Sequence, residues 1–363
     1  MTKTAGIAGA GLVGRLLGVE LARTGWHVTL FDADTREAQQ SCAYTGAGML
    51  APYCELETAD ELICRLGLES LSAWPRILGA LDRPVPFERA GSLVVAHRAD
   101  ETELQRLQRR VARQIETDEP MVPVDGADIA GLEPDLAGRF EKGLYFPTEG
   151  HIDSRALLQA LEETLLHAGT AWHPSSRVSA LTNARIHTDS GESAFDCVFD
   201  CRGLGARDAF PSLRGVRGEL IYLRAPDVRL HRPVRLMHPR YPLYIVPRKD
   251  HLFVVGATSI ESDDAGAITV RSALELLSAA YAVHPGFAEG RIVETCVNRR
   301  PAFPDHRPRV LCEPGLVRVN GLYRHGYLIA PALVQRVLEY VNEGTVAGGD
   351  AAFVEAAPHA GSG

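Results

Sequence analysis

Gly9-Ala10-Gly11-Leu12-Val13-Gly14 follows a short apolar run, Lys3 to Ala8. After it comes a segment with apolar residues at Leu12, Val13, Leu16, Leu17, Val19 and Leu21. The first run reads as a strand and the second as a helix that Gly25 stops. Val28 to Phe31 reads as a second strand, with Asp32 at its end and Asp34 close behind. Strand, glycine turn, helix, strand and acid in this order are what a dinucleotide-binding βαβ unit requires. Gly9 allows the tight turn, Gly11 lets the backbone approach a pyrophosphate, and Gly14 lets helix and strand pack closely. The helix N-terminus offers free N–H groups and a partial positive charge to phosphates. Asp32 is placed to accept hydrogen bonds from both ribose hydroxyls, and its charge argues against NADP. A lone glycine turn is a weak signal, but here every part of the unit is in register. The unit alone does not separate NAD from FAD.

At 363 residues the chain is long for one core, so two domains are expected. Hydrophobic content of 45% and charged content of 23% are those of an ordinary soluble protein. The net charge of -8, with no basic stripe to offset it, argues against nucleic acid as a partner. Arg106, Arg109, Arg110 and Arg113 read as a solvated helix face. No stretch approaches the roughly eighteen apolar residues of a membrane span. The N-terminus enters the βαβ unit at once, without the pattern of a signal peptide, so a cytoplasmic location is expected. The cysteines are Cys42, Cys54, Cys64, Cys197, Cys201, Cys296 and Cys312. Their odd number and the absence of CxxC spacing favour reduced thiols over disulfides or zinc. No metal is expected.

Beyond the βαβ unit, Ser41 to Leu50 is a run of small residues. Such a run suits a backbone passing close to a flat, bulky ligand, although a plain flexible loop is the other reading. Glu57 to Ala80 reads as a helix, and Pro84 and Pro86 mark a boundary. Gly91 to His97 is a strand, Asp100 to Gln114 a charged helix, and Gly143 to Phe146 a strand. Ser154 to His167 is a helix with Ser154 placed to cap it. Arg177 to Leu181 and Cys197 to Cys201 are strands, the second ending in Arg202-Gly203-Leu204-Gly205. Such a turn at a strand's C-terminal end is where open α/β sheets bind ligands. Arg217 to Leu223, Leu243 to Val246 and His251 to Ala257 form an antiparallel region. Val270 to Ala282 is a helix, and Gly290 to Arg300 a strand ending in Arg299-Arg300-Pro301. Leu316 to Asn320 is a strand, and Ala330 to Asn342 a helix. Residues past about Gly344 read as a loose tail.

Five stretches are more specific than the βαβ unit. They are Gly46-Ala47-Gly48-Met49-Leu50-Ala51-Pro52, Tyr244-Ile245-Val246-Pro247-Arg248, Val255-Gly256-Ala257-Thr258, Arg300-Pro301 and Tyr323-Arg324-His325-Gly326. In this order they resemble the FAD-dependent D-amino-acid oxidase superfamily, most closely the glycine oxidases of thiamine biosynthesis. The similarity runs to about Asn342. It implies an α/β (α+β overall) architecture, a Rossmann-like FAD-binding domain plus an antiparallel-sheet substrate domain. The FAD-binding part would comprise residues 1–85, 148–214 and 291–345. The substrate part would comprise 86–147 and 215–290, with 346–363 as tail.

The resemblance also implies roles. Gly9, Gly11, Gly14 and Asp32 would hold the ADP half of FAD, and Val178 would lie beside the adenine. Ala43, Tyr44, Gly48 and Met49 would flank the ribityl chain and isoalloxazine, with Gly203 also at the cofactor. Arg324, His325, Gly326, Leu328 and Ile329 would hold the pyrimidine edge. Arg300 and Tyr244 match the pair that binds the substrate carboxylate, and Arg324 borders that pocket. Arg299 reads as surface, and His325 receives no acid/base role.

The implied reaction is oxidation of glycine or a related small amino acid to an imine, with oxygen reduced to hydrogen peroxide. Hydride transfer to flavin N5 belongs to the cofactor; a fork-shaped guanidinium binds the carboxylate better than lysine. No side-chain base is assigned. Neither Cys296 nor Cys312 matches a flavin-attachment motif, so the FAD is expected to be non-covalent. A homo-oligomer is possible. The rivals are a dehydrogenase of the same fold with another electron acceptor, acting on D-amino acids or N-substituted glycines, and a flavin-binding protein without turnover. One departure from the family matters. Glycine oxidases carry methionine directly after Gly-Ala-Thr, over the substrate pocket, and this chain has Ser259. Where relatives carry histidine two residues before the tyrosine, it has Pro242. A roomier, more polar pocket is expected unless Tyr241 or His238 fills it.

Overall fold

The computed structural model of the chain describes residues 2–115, 120–238, 243–344 and 353–356. Tyr241 and Pro242 lie outside them. The glycine turn joins β1 (Thr4–Ala8) to α1 (Leu12–Arg23), which leads to β2 (His27–Phe31). β1 is an inner strand of a seven-stranded sheet. It runs parallel to β2 on one side, Gly6 opposite Thr29, and to Cys197–Asp200 on the other, Gly6 opposite Val198. Leu316–Asn320 continues the parallel arrangement beyond Cys197–Asp200. The chain therefore leaves β1 in one direction and fills the other side much later. That reversal opens a crevice at the carboxyl ends of β1 and Cys197–Asp200.

Behind this sheet α1, Glu61–Leu78, Ser154–His167 and Gly326–Glu343 share one apolar core, including Leu16, Trp74, Leu161 and Leu333. Gly326–Glu343 starts four residues earlier than Ala330, the start read from the sequence, and runs through Pro331. A proline there leaves the Tyr327 carbonyl without its helical donor. The Trp74 indole N–H supplies one instead, at 3.2 Å, and Ser70 Oγ accepts from the next amide, Ala332 N–H, at 3.1 Å. Both partners come from a helix more than 250 residues away in sequence.

An eight-stranded sheet carries the antiparallel region. Its edge strand Arg291–Ala302 pairs with Arg214–Arg224, followed by Leu252–Gly256 and Leu243–Pro247. Helix Val270–Val283 packs on it through Leu276, Ala279 and Val283. Residues 291–302, grouped in the sequence reading with the nucleotide-binding segments, thus belong to this second sheet. Pro301 is tolerated there because an edge strand has one unladdered side.

Three further expectations need correction. The helix Ser154–His167 is capped by Asp153, whose Oδ1 accepts from Arg155 N–H at 3.1 Å and Ala156 N–H at 3.0 Å; Ser154 is its first residue. Glu57 to Ala80 is shorter, Glu61–Leu78, because Asp60 caps it and Pro52–Glu55 forms a separate turn of helix. Within the expected loose tail, Val354–Ala356 forms a strand parallel to Arg309–Glu313, with Phe353 buried. Among the described residues no helix is long and apolar enough to cross a membrane. All seven cysteines are free thiols.

Candidate active site

A cavity of about 380 Å³ opens at the carboxyl ends of β1 and β2, lined by Gly9, Gly11, Asp32, Val178, Gly203 and Gly326 among others. Gly9 has φ +96°, and a Cβ on it would lie 2.4 Å from the Cys201 carbonyl oxygen. Gly11 is the N-cap of α1 and offers no side-chain cap, so the first-turn N–H groups face the cavity uncapped. A Cβ on Gly11 would meet only Ser41 Oγ, at 3.2 Å, and would otherwise stand in the cavity. Gly14 works differently: its Cβ would lie 1.9 Å from the Gly9 carbonyl oxygen, so it packs the helix against the turn and does not line the cavity. Asp32 is oriented by its own turn, Oδ2 accepting from Ala10 N–H and Oδ1 from Asp34 N–H at 2.7 Å. Burial raises its pKa, which the N–H groups of Asp34 and Ala10 oppose. Uncapped helix amides, an open glycine face and an oriented carboxylate fit a dinucleotide.

A second cavity of about 390 Å³ meets the first. Cys42, Gly46, Asn298, Arg300, Arg324 and Tyr327 line both. The small-residue run forms the wall at this junction. Gly48 has φ +67° and comes so close to Ile152 that a Cβ would lie 2.0 Å from its carbonyl oxygen. Met49, Leu328 and His325 line the second cavity, and Ala43 the first.

Arg300 reaches the junction from the edge strand. Its guanidinium lies over Gly218, where a Cβ would be 2.3 Å from Cζ, and its Nη1 donates to the Thr258 carbonyl at 3.0 Å. Among the described residues no carboxylate pairs with it. Tyr244 lines the same cavity, and burial raises its phenol pKa despite Arg300 nearby, so the hydroxyl stays a donor. Arg324 is already paired. Its Nε donates to Glu55 Oε2 at 2.8 Å and its Nη2 to Thr58 Oγ1 at 2.6 Å. Burial alone would raise the Glu55 carboxyl, but Arg324, then His325 and Arg235, hold it well below the usual range. His325 is buried, with Nδ1 3.2 Å from Glu55 Oε2, and burial lowers its pKa. Ser259 is exposed at the rim, and its hydroxyl pairs with Tyr323 OH at 2.8 Å.

Two residues expected beside the cofactor, Tyr44 and Ile329, line neither cavity. Tyr44 stacks on Arg155, 4.2 Å from ring centre to Cζ. Ile329 is fully buried in the helical core. Asn298 and Glu55 escaped the sequence reading. Asn298 had a signal, since it stands two residues before Arg300 and so on the same strand face. Glu55 had none; its partner is 269 positions away.

The turn that carries Glu55 is held from beneath by Glu149, fully buried. Glu149 Oε1 accepts from Tyr53 N–H at 2.8 Å and Cys54 N–H at 2.9 Å, and Oε2 bonds Ser92 Oγ. Burial pushes this carboxyl up to about 7. The folded state therefore binds a proton that the unfolded state releases near its ordinary value of 4.5. Stability is present below that value and falls as pH rises through the window to about 7, by on the order of 3 kcal/mol at 1.36 kcal/mol per unit. Glu149→Gln keeps the acceptor for Tyr53 and Cys54 and removes the titration. Denaturant melts at pH 5, 6 and 7 should show a smaller loss of stability in the variant than in the parent. Equal slopes would exclude Glu149 as their source.

A dinucleotide cradle that opens into a cavity with an unpaired arginine is the arrangement of a cofactor-dependent enzyme. Residues 5–339 match the FAD dependent oxidoreductase family, and the chain belongs to it. Its cofactor is thus FAD. The chain is 43% identical over 336 residues to the putative thiamine biosynthesis oxidoreductase ThiO of Rhizobium etli, covering 91% of this chain and 94% of that protein. It is 27% identical to the glycine oxidase of Geobacillus kaustophilus over 343 residues, covering 90% and 89% of the two chains. Among solved structures, that of glycine oxidase from Geobacillus kaustophilus superposes with TM-score 0.84 at 24% identity, over 99% of this chain and 100% of that one. Iminodiacetate oxidase from Chelativorans has TM-score 0.83 at 23% identity, over 98% and 100%.

Proposed function

We propose that the protein oxidises glycine or a related small amino acid to its imine and passes the electrons to oxygen, giving hydrogen peroxide, in thiamine biosynthesis. The observation that carries this reading is Arg300, a cation at the junction of the two cavities with no acidic partner among the described residues. A carboxylate supplied by the substrate completes the pair. Gly9, Gly11 and Asp32 would hold FAD non-covalently, and the bound flavin would supply the redox chemistry as hydride acceptor. The chain's own work is then to bind, orient and exclude water. Arg300 offers a planar fork and Tyr244 a phenol hydroxyl to the carboxylate. Gly48, packed on the Ile152 carbonyl, and Gly46, packed on the Tyr327 ring, fix the wall against which the substrate is oriented.

No side chain acts as base. Glu55 is ionised but engaged by Arg324, and His325 is buried against it. The amine reacts in its unprotonated form. The names of the Rhizobium and Geobacillus relatives support both the substrate class and the pathway. The Rossmann-like sheet with its helices is the FAD-binding part and the eight-stranded sheet the substrate part, in a cytoplasmic enzyme. Anaerobic addition of glycine to the purified protein should bleach the flavin, and air should restore it with one peroxide per turnover. Bleaching that air does not reverse would favour the dehydrogenase rival. No bleaching with any small amino acid would exclude the reading.

Ser259 supports a shifted preference within that class. Its hydroxyl is tied to Tyr323 at the rim, so an apolar thioether over the pocket is replaced by a polar pair. Extra apolar contact is worth only about 1–3 kcal/mol per methylene, roughly ten- to two-hundredfold. A bulkier substrate, sarcosine, D-alanine or D-proline, should rival glycine in the parent, and Ser259→Met should shift the ranking toward glycine. The measurement is kcat/KM for the four. An unchanged ranking would remove Ser259 from specificity.

A further inference from the structure

We infer that Thr258, held by the buried Glu219, is the positioning residue that aims Arg300 at the substrate carboxylate; the inference rests on the carboxylate-binding role given to Arg300 above. Arg300 stands on the edge strand, opposite Val216 of the neighbouring strand. To reach the cavity its side chain must cross that neighbouring strand. It does so at Gly218, which has no Cβ in the way. Beyond the crossing, Nη1 meets the carbonyl of Thr258 on the next segment. That single acceptor sets where the guanidinium stops. Nη1 is engaged there, and no hydrogen bond among the described residues takes the Nη2 and Nε edge, which suits a carboxylate in the bidentate manner.

Thr258 is unusually well fixed for a residue at a cavity wall. Its N–H donates to the Glu219 carbonyl at 3.1 Å. Its hydroxyl accepts from Glu219 N–H at 3.0 Å and donates to Glu219 Oε2 at 3.0 Å. The Glu219 carboxylate is fully buried, and its other oxygen takes Arg217 Nε at 3.0 Å and Nη2 at 2.6 Å. Arg217, 2% exposed, spends its remaining donors on the loop after Ser259, at the carbonyls of Asp264, Gly266 and Ala267. A buried ion pair of this kind adds little net stability compared with apolar side chains. It does hold one geometry. Here that geometry is the direction of the Thr258 carbonyl, and through it the fork of Arg300.

Thr258→Val keeps the shape and removes both hydroxyl bonds, while Thr258→Ser keeps them. The valine variant should retain FAD and kcat, raise KM for glycine roughly fivefold to tenfold, about the loss of one hydrogen bond, and weaken acetate binding in parallel, followed by the flavin spectrum. The serine variant should stay within twofold of the parent in both readouts. In an Arg300→Ala background the valine substitution should add less than twofold to KM, because its effect passes through Arg300. A normal KM in Thr258→Val, an equal defect in Thr258→Ser, or the same penalty in the Arg300→Ala background would each overturn the inference. If Arg300→Ala itself keeps parental KM and acetate affinity, the carboxylate-binding reading falls, and this inference with it.

Discussion

Arg300→Ala is expected to lose about thirty- to several-thousand-fold in kcat/KM while purifying with its full complement of FAD. The range follows from removing one partner of a desolvated charge pair, which costs about 2–5 kcal/mol, at 1.4 kcal/mol per decade of rate. Two features of the site put the effect toward the upper end. The guanidinium lies directly over Gly218, whose nearest neighbours at the Cβ position are all Arg300 atoms, so the alanine leaves a gap as well as a missing charge. Arg324, the other arginine at the junction, cannot substitute, because Glu55 and Thr58 already hold it. Arg300→Lys should recover only part of the loss, since an ammonium cannot satisfy both the Thr258 carbonyl and a carboxylate fork in one plane. The checks are steady-state kinetics with glycine and the ratio of flavin to protein absorbance. Activity within threefold of the parent would refute the role; lost flavin would mean that Arg300 holds the cofactor instead.

The parts of this molecule that were legible in the sequence are those whose causes lie within a few residues. The βαβ unit is one, since Gly9, Gly11 and Asp32 act through local turn geometry and strand ends. The strand carrying Tyr244 and the small-residue run are others. Arg300 stood out by ending an apolar strand beside Pro301 and by the resemblance; periodicity by itself could not distinguish it from Arg299 beside it. What escaped the sequence depends on partners far along the chain. The last helix begins at Gly326 because Trp74 and Ser70 serve the backbone around Pro331. Arg324 is an internal ion-pair partner because Glu55 meets it across the fold. Tyr44 lines neither cavity; it stacks on Arg155, which Glu294 holds at 2.8 Å. The strand Val354–Ala356 had no visible pattern at all; it is ordered by the open edge of Arg309–Glu313.

The two glycines of the first turn should fail in different ways when changed to valine. Gly14→Val puts its Cβ 1.9 Å from the Gly9 carbonyl oxygen, backbone that cannot move without separating α1 from β1. α1 contributes Leu12, Leu16, Leu17, Val19 and Leu21 to the main core, so the displacement is felt through that core. The expected result is insoluble or strongly destabilised protein. The Cβ of Gly11→Val would meet only Ser41 Oγ, at 3.2 Å, and the backbone sits at φ -72°, which valine adopts freely. The fold should therefore survive, with a branched side chain standing where the pyrophosphate must approach the first-turn N–H groups. The protein should be soluble, keep a cooperative melt and purify colourless. Added FAD should bind at least a hundredfold more weakly than to the apoprotein of the parent, the cost of at least two hydrogen bonds to a charged group at about 1.5–3 kcal/mol each. Titration of each apoprotein with FAD, followed by flavin fluorescence, separates the cases. If Gly11→Val retains yellow colour at full stoichiometry, this turn does not hold the cofactor. If Gly14→Val folds normally and loses only FAD, the division of labour between the two glycines is wrong.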